Sequence, residues 1–302
     1  MEARGVGRMS ALGSELAHGQ RPKDAEARLF AILAPFPSAS LYLKFAFKAF
    51  QRQLAYKFEY FVGVINGLLF IFIFTSLWKN IFDTSKGAAD TTFTREGIVS
   101  YAVFAMIIRV SMSQDDLGVM GKIRTGAIAM DMIKPFNYFG VTLAENFGGT
   151  LFHWFTRAAP ILVVCLIFFD ISLPRHPINY LLLAVTWILG YLIYFMVNWL
   201  FAMIAFWVIE TFSFQLMKYG MFTLFSGGII PLDFFPDFIR PVASYIPFMY
   251  VLYVPTAAFT GHIGPAQAAG FILFQGLWVA ALGVACALVW KRAQTKLIVQ
   301  GG

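Results

Sequence analysis

Four ionisable side chains, Arg109, Glu145, His153 and Arg157, interrupt stretches that are otherwise apolar. An ion in such surroundings is expensive to desolvate, so each must find a partner, reach the headgroup region or line a polar path. Arg109 and Glu145 fall near the same ends of their respective stretches, and an ion pair joining two helices is the expectation. His153 and Arg157 stand one helical turn apart and deeper. They fit either pairing within a helix bundle or contact with an anionic headgroup. No catalytic set accompanies them. His18, His153, His176 and His262 are scattered, and Cys165 and Cys286 form no metal spacing. No GxxxxGK[ST], HExxH or GxSxG run occurs. The nearest fragment, Gly121-Lys122, lacks both the upstream glycine and the following hydroxyl residue. Neither a catalytic residue, a metal nor a cofactor is expected in this chain.

The elements that must carry these groups are membrane helices. Hydrophobic residues make up 59% of the 302 and charged residues 13%, against about 25% charged in a soluble domain. The formal charge of +7 then reports on topology, and nucleic acid is not an expected partner. A bilayer core of about 30 Å needs roughly 20 apolar residues per helix. Six stretches are expected to cross: about Tyr60–Trp78, Gly97–Ser113, Tyr138–Phe169, Pro177–Ile209, a fifth starting near Thr211, and Ala268–Trp290. With the N-terminus inside, Lys and Arg crowd the cytoplasmic flanks, among them Lys44, Lys48, Arg52, Lys122, Arg124, Lys134, Lys291 and Arg292. The external side keeps Lys79, Lys86, Arg95, Arg175 and Arg240. Both termini are therefore expected in the cytoplasm. Residues 1–38 read as a mobile cytoplasmic tail without the apolar core of a signal peptide, and residues 39–302 as one six-span domain. Residues 41–60 place Lys44, Lys48 and Arg52 on one helical face and Phe47, Phe50, Leu54 and Phe58 on another. That pattern predicts a helix lying in the membrane interface.

Two connections break the pattern of simple spans. DDLGVMGKIRTGAIAMDMIKPFNYF, residues 115–139, is too patterned for a turn. Asp115 and Asp116 are placed to cap a helix, Ile123, Ile128 and Met132 form an apolar stripe, and Pro135 ends the run. A short cytoplasmic helix that docks on a soluble partner, or one lying on the surface, would look like this. SGGIIPLDFFPDFIRP, residues 226–241, carries Gly227, Gly228, Pro231 and Pro236, and no charge follows between Pro241 and Trp290. One span consumes about half of that length. The remainder predicts an external re-entrant helical hairpin with arms near Phe234–Ala243 and Pro247–Phe259, its bends supplied by glycine and proline. Phe234 and Phe235, beside Pro236, are gate candidates at its tip.

The pairing of IRTGAIAMDMIKPFNYF (123–139) with FSGGIIPLDFFPDFIRPVASYIPFMYVLYVP (225–255) resembles the permease subunits of ABC-2-type exporters, in particular an uncharacterised two-permease branch. The resemblance covers the chain from about residue 40. It implies an all-α membrane protein of the bacterial cytoplasmic membrane, paired with a second permease, identical or homologous. Two ABC ATPase subunits beneath would bind ATP and Mg. Lys122, Ile123, Arg124, Gly126, Met132, Lys134 and Pro135 then belong to a coupling helix that enters the ATPase. Gly227, Gly228, Pro231, Phe234, Phe235, Pro236 and Pro247 belong to a hairpin capping the path of a lipid, glycolipid, peptide or drug. A secondary transporter or a membrane assembly scaffold are the alternatives. The first would need inverted repeats and a midplane ionisable site.

Overall fold

A computed structural model describes residues 39–54, 57–84, 93–112, 116–169, 171 and 173–300. Among these there is no strand. The expected tail, residues 1–38, and the cap at Asp115 lie outside the described residues. Four helices are long and apolar enough to cross a membrane: Phe61–Thr84, Tyr138–Phe168, Pro177–Phe206 and Pro265–Lys296. Each overlaps a stretch expected to cross, though Phe61–Thr84 runs on past Lys79 and Pro265–Lys296 past Lys291 and Arg292. The expected second and fifth spans are shorter, 17 residues at Arg95–Ser111 and 14 at Phe212–Phe225. At 1.5 Å per residue these reach only about 26 and 21 Å.

The first helix, α1 (Ala39–Gln53), packs lengthwise on the start of α6 (Tyr138–His153). Glycine makes this possible. A Cβ at Gly148 would overlap the Ala46 backbone, and one at Gly140 would fall 2.9 Å from the Tyr42 ring. Phe45 meets Phe136 edge-on, and Phe50 meets Phe152. The inward face is thus Tyr42, Phe45, Ala49 and Phe50. Phe47 and Leu54 point outward, 62% and 50% exposed, among the exposed Lys44, Lys48 and Arg52. The expected division into a cationic and an aromatic face is corrected here. Phe50 is claimed by protein contact, and the outer face mixes both kinds of side chain.

The next helix, α2 (Lys57–Thr84), lies beside the second half of the Tyr138–Phe168 helix, with Gly67 admitting Ile161. That span is not one α-helix. Between α6 and α7 (Ala159–Phe168) lies a π-helical turn, Trp154–Ala158. Pro160 has no N–H to donate to the carbonyl four residues earlier and its ring crowds that turn, so the winding widens ahead of it.

Helix α3 (Arg95–Ser111) is buried on every side from Ile98 to Ala105, as a helix at the centre of a bundle must be. It packs against α2 and α11 (Met249–Thr260), which is itself buried from Met249 to Phe259. An extended seam joins α8 (Pro177–Met203), α11 and α12 (Pro265–Gln300). Gly190 lets α11 approach so closely that a Cβ there would lie 2.8 Å from the Tyr250 carbonyl oxygen. Gln275 of α12 is fully buried, and its Nε2 donates to the carbonyls of Thr186 and Tyr250, both at 2.9 Å. Small residues at the contact and a polar side chain across it are how membrane helices hold together when lipid is as apolar as they are. Each such hydrogen bond contributes about 0.6 kcal/mol, up to about 1.7.

Candidate functional site

The connection from α3 to α6 folds as two short helices, α4 (Asp116–Arg124) and α5 (Ile128–Met132). Gly126 makes the turn between them at φ +72°, a left-handed conformation suited to glycine. Asp131 then holds the two pieces together. Its carboxylate accepts from Lys122 Nζ at 2.9 Å and from Lys134 Nζ at 2.7 Å. Burial on its own would raise the Asp131 carboxyl, but the lysine hydrogen bonds and charges outweigh it and hold the group below the usual carboxylate range.

The apolar stripe expected to meet a partner is turned inward. Ile123 and Ile128 are buried, and Met132 is half-buried against the same core. Met120 is buried as well, and its sulfur accepts from Thr211 Oγ1. The outward surface is Arg124, Gly126, Met130, Ile133 and Pro135, with Met130 68% and Ile133 78% exposed. Sequence reasoning missed Met130, Asp131 and Ile133. One signal was available for Met130, which lies two residues from Ile128 and so on the opposite side of the helix.

Of the four intramembrane ions, the expected interhelical pair is not formed. Arg109 does not pair with Glu145. It faces α9 (Phe212–Phe225) instead, 3.3 Å from Tyr219 Oη and 3.5 Å from Thr223 Oγ1, with its guanidinium 5.9 Å from the Tyr219 ring centre. His153 is buried, its ring edge-on to Phe152, and its Nδ1 has no hydrogen-bond partner among the described residues. Arg157 lies within the π-turn against α2, where a Cβ on Gly63 would fall 2.7 Å from its Nε.

On the other side of the bundle, α9 ends at Phe225 and the chain turns through Gly227 at φ +75°. A side chain at Gly227 would meet Tyr253, and one at Gly228 would meet Leu252, each at 2.6 Å. Tyr101 Oη donates to the Gly227 carbonyl at 2.8 Å, and the Tyr253 N–H donates to the Ser226 carbonyl at 2.9 Å. Pro231 opens a 3₁₀ turn, Leu232–Phe234. Phe234 packs on Trp78 and Phe93, with ring centres 4.7 and 6.0 Å away, and Phe235 is buried. These two rings lie in the turn ahead of the helical pieces and not at their junction. The first arm is also shorter than expected. Pro236 heads a turn, and helix α10 begins only at Arg240, running to Tyr245. Pro247 lies in the break before α11.

Asp233 ties this region to its neighbours. It accepts from Tyr253 Oη at 3.0 Å and lies 3.2 Å from His262 Nε2, an ion pair when that imidazole is protonated. Phe93 stacks on His262 with centres 3.7 Å apart. Burial would raise the Asp233 carboxyl, but hydrogen bonds from His262 and Tyr253 pull it below its ordinary value. None of these partners is close in sequence, and no motif announces them.

The sequence model of the family described as ABC-2 family transporter protein matches residues 61–301. The chain belongs to the ABC-2 transporter family. None of the curated proteins compared with it matches. An ABC-2 membrane component is a multi-pass transmembrane permease, and ABC permeases work with ATPase partners. Membership gives a context for a permease with an outward, cation-flanked pair of apolar side chains on a stapled connection.

The staple itself can be tested. Asp131→Asn should free Lys122 and Lys134 and raise the rate of tryptic cleavage after Lys122 and Arg124 several-fold at neutral pH, with the spans intact. Because the Asp131 pKa is depressed on folding, the staple acts fully above the ordinary aspartate value of about 3.9 and is lost as pH falls through the lowered one. An unchanged cleavage rate would mean that the two ion pairs do not hold α4 against α5.

Proposed function

We propose that this chain is the membrane-spanning subunit of an ATP-driven exporter of hydrophobic or amphipathic molecules. It works as a pair with a second permease, identical or homologous, in the bacterial cytoplasmic membrane with both termini inside. In this reading α3 and α9 complete six spans, tilting less and thinning the bilayer beside them. Helices α10 and α11 form the re-entrant hairpin on the external side. ATP and Mg bind to the partner ATPases, and closure of those subunits is passed through α4 and α5 to α3 and α6.

The observation that carries this reading is the outward pair Met130 and Ile133. Two large apolar side chains beside Arg124 and Lys134 have no role inside the bundle, and they sit on a connection held in shape by Asp131. Such a rigid apolar tip with a cationic rim suits insertion into a cleft of a soluble protein. Purification of the intact complex under mild conditions, with mass analysis of its subunits, should recover a Walker-motif ATPase in equal number with the permease. Recovery of the permease with no ATPase would favour a scaffold or a secondary transporter.

A further inference from the structure

Arg109 is a cation without a counter-ion. It is the only charge between Gly97 and Ser111 and lies two residues before the end of α3. Among the described residues no carboxylate comes within ion-pair distance of it. A long side chain on a helix leans back toward the helix start. The guanidinium therefore points along α3 away from α4, further into the apolar stretch. A charge so placed calls for an anion.

What it meets is two hydroxyls. Nη2 donates to Tyr219 Oη at 3.3 Å and to Thr223 Oγ1 at 3.5 Å, one turn apart on the same face of α9. Helical threonine commonly donates to the carbonyl four residues back, and Thr75, Thr142, Thr156, Thr186, Thr256 and Thr260 all do so. Thr223 makes no such bond among the described residues, and its Oγ1 is turned to Arg109 instead. Tyr219 Oη likewise donates to no group among them. Both hydroxyl oxygens accept from the arginine, and both hydroxyl protons are left to point with it at a common ligand. Three donors and one positive charge suit an anion with several oxygens. The place is open. Tyr219 is 58% exposed, and nothing lies within 4 Å of a would-be Cβ on the neighbouring Gly220. Large exposed side chains beside it on α9 are apolar, Leu216 at 60% and Leu224 at 51%. A free phosphate would shed its water against them for no return, whereas a lipid headgroup brings its own acyl chains.

We propose that Arg109, Tyr219 and Thr223 bind the phosphate of an anionic phospholipid, which bridges α3 and α9 at the surface of the bundle. The lipid supplies the counter-charge that Glu145 does not. The site needs no ATPase and holds whatever the permease carries.

The test uses the full-length protein in detergent, titrated with phosphatidic acid or with diacylglycerol of the same chains and weighed intact. The two differ only in the phosphate. One phosphatidic acid per chain should be retained, well above diacylglycerol. Arg109→Gln should lower that retention about 10-fold or more, towards the diacylglycerol level. Y219F/T223V removes only the two hydroxyls and should lower it several-fold with the thermal midpoint kept. K44Q/K48Q, which removes two exposed cations of α1, should leave it unchanged. Equal retention of the two lipids by the wild type, or undiminished retention by Arg109→Gln, would overturn the site. Undiminished retention by Y219F/T223V would overturn the part given to the hydroxyls. A loss in K44Q/K48Q as large as in Arg109→Gln would reduce the binding to general attraction by a cationic surface. Displacement of phosphatidic acid by excess inorganic phosphate would overturn the lipid and leave a free ion in its place.

Discussion

M130D/I133D should lose its ATPase while keeping its fold. Both side chains are largely exposed, at 68% and 78%, so their exchange for aspartate should change stability by no more than about 0.5 kcal/mol. Docked, each would bring an uncompensated carboxylate into an apolar cleft. Two anchor residues lost at about 2 kcal/mol each weaken the complex at least ~100-fold. Co-purification of the ATPase and any substrate-stimulated hydrolysis should vanish together. Met132→Asp is the contrast. That side chain packs on the core, so the variant should lower the thermal midpoint and prove ambiguous as a docking probe. If M130D/I133D retains the ATPase at the wild-type ratio, the outward face of α5 is not the docking surface.

The second large effect is expected at Gly190. A leucine there would place Cβ 2.8 Å from the Tyr250 carbonyl and 3.3 Å from Val251 backbone atoms. Those neighbours belong to a helix that is buried on all sides and cannot step back. The seam must open, and the two hydrogen bonds from Gln275 are strained with it. A cost of about 3 kcal/mol or more follows from overpacking plus lost interhelical bonding. Gly190→Leu should therefore yield little monodisperse protein and a strongly lowered thermal midpoint. Gly220→Leu on α9 is the control, since no atom lies within 4 Å of its would-be Cβ. A Gly190→Leu midpoint within about 2 °C of the wild type would show that α8 and α11 are not held at this distance.

The four long spans were legible because length and apolar composition suffice to specify them. Pro177 marks the start of α8, whereas α12 runs on to Gln300, past the cations Lys291 and Arg292 that were expected to end it. Faces were less legible. The spacing of Ile123, Ile128 and Met132 predicts a stripe, but a stripe facing the protein's own core and one facing a partner have the same period. The core took this one, leaving Met130 and Ile133 outside. Phe50 repeats the lesson on α1, where a pattern suited to lipid is met in part by Phe152. Arg109 shows a different limit. Charge complementarity pointed to Glu145, whereas the fold places it nearer the hydroxyls of α9. The Asp233 contacts depend on where four separate segments meet, which no local pattern encodes.

The π-turn at Trp154–Ala158 divides the Tyr138–Phe168 helix into two rods set at a fixed phase. The first rod is registered on α1 and the second, with the turn itself, on α2 and α3. A π-turn takes one more residue than an α-turn to come round once, so dropping one residue there, Phe155 being 70% exposed, would restore regular winding and leave the two rods in nearly the same phase. Ile161 would still face Gly67. This span can therefore lose one residue at its middle and keep its faces, whereas a residue lost from either regular rod would turn everything beyond it by about 100°.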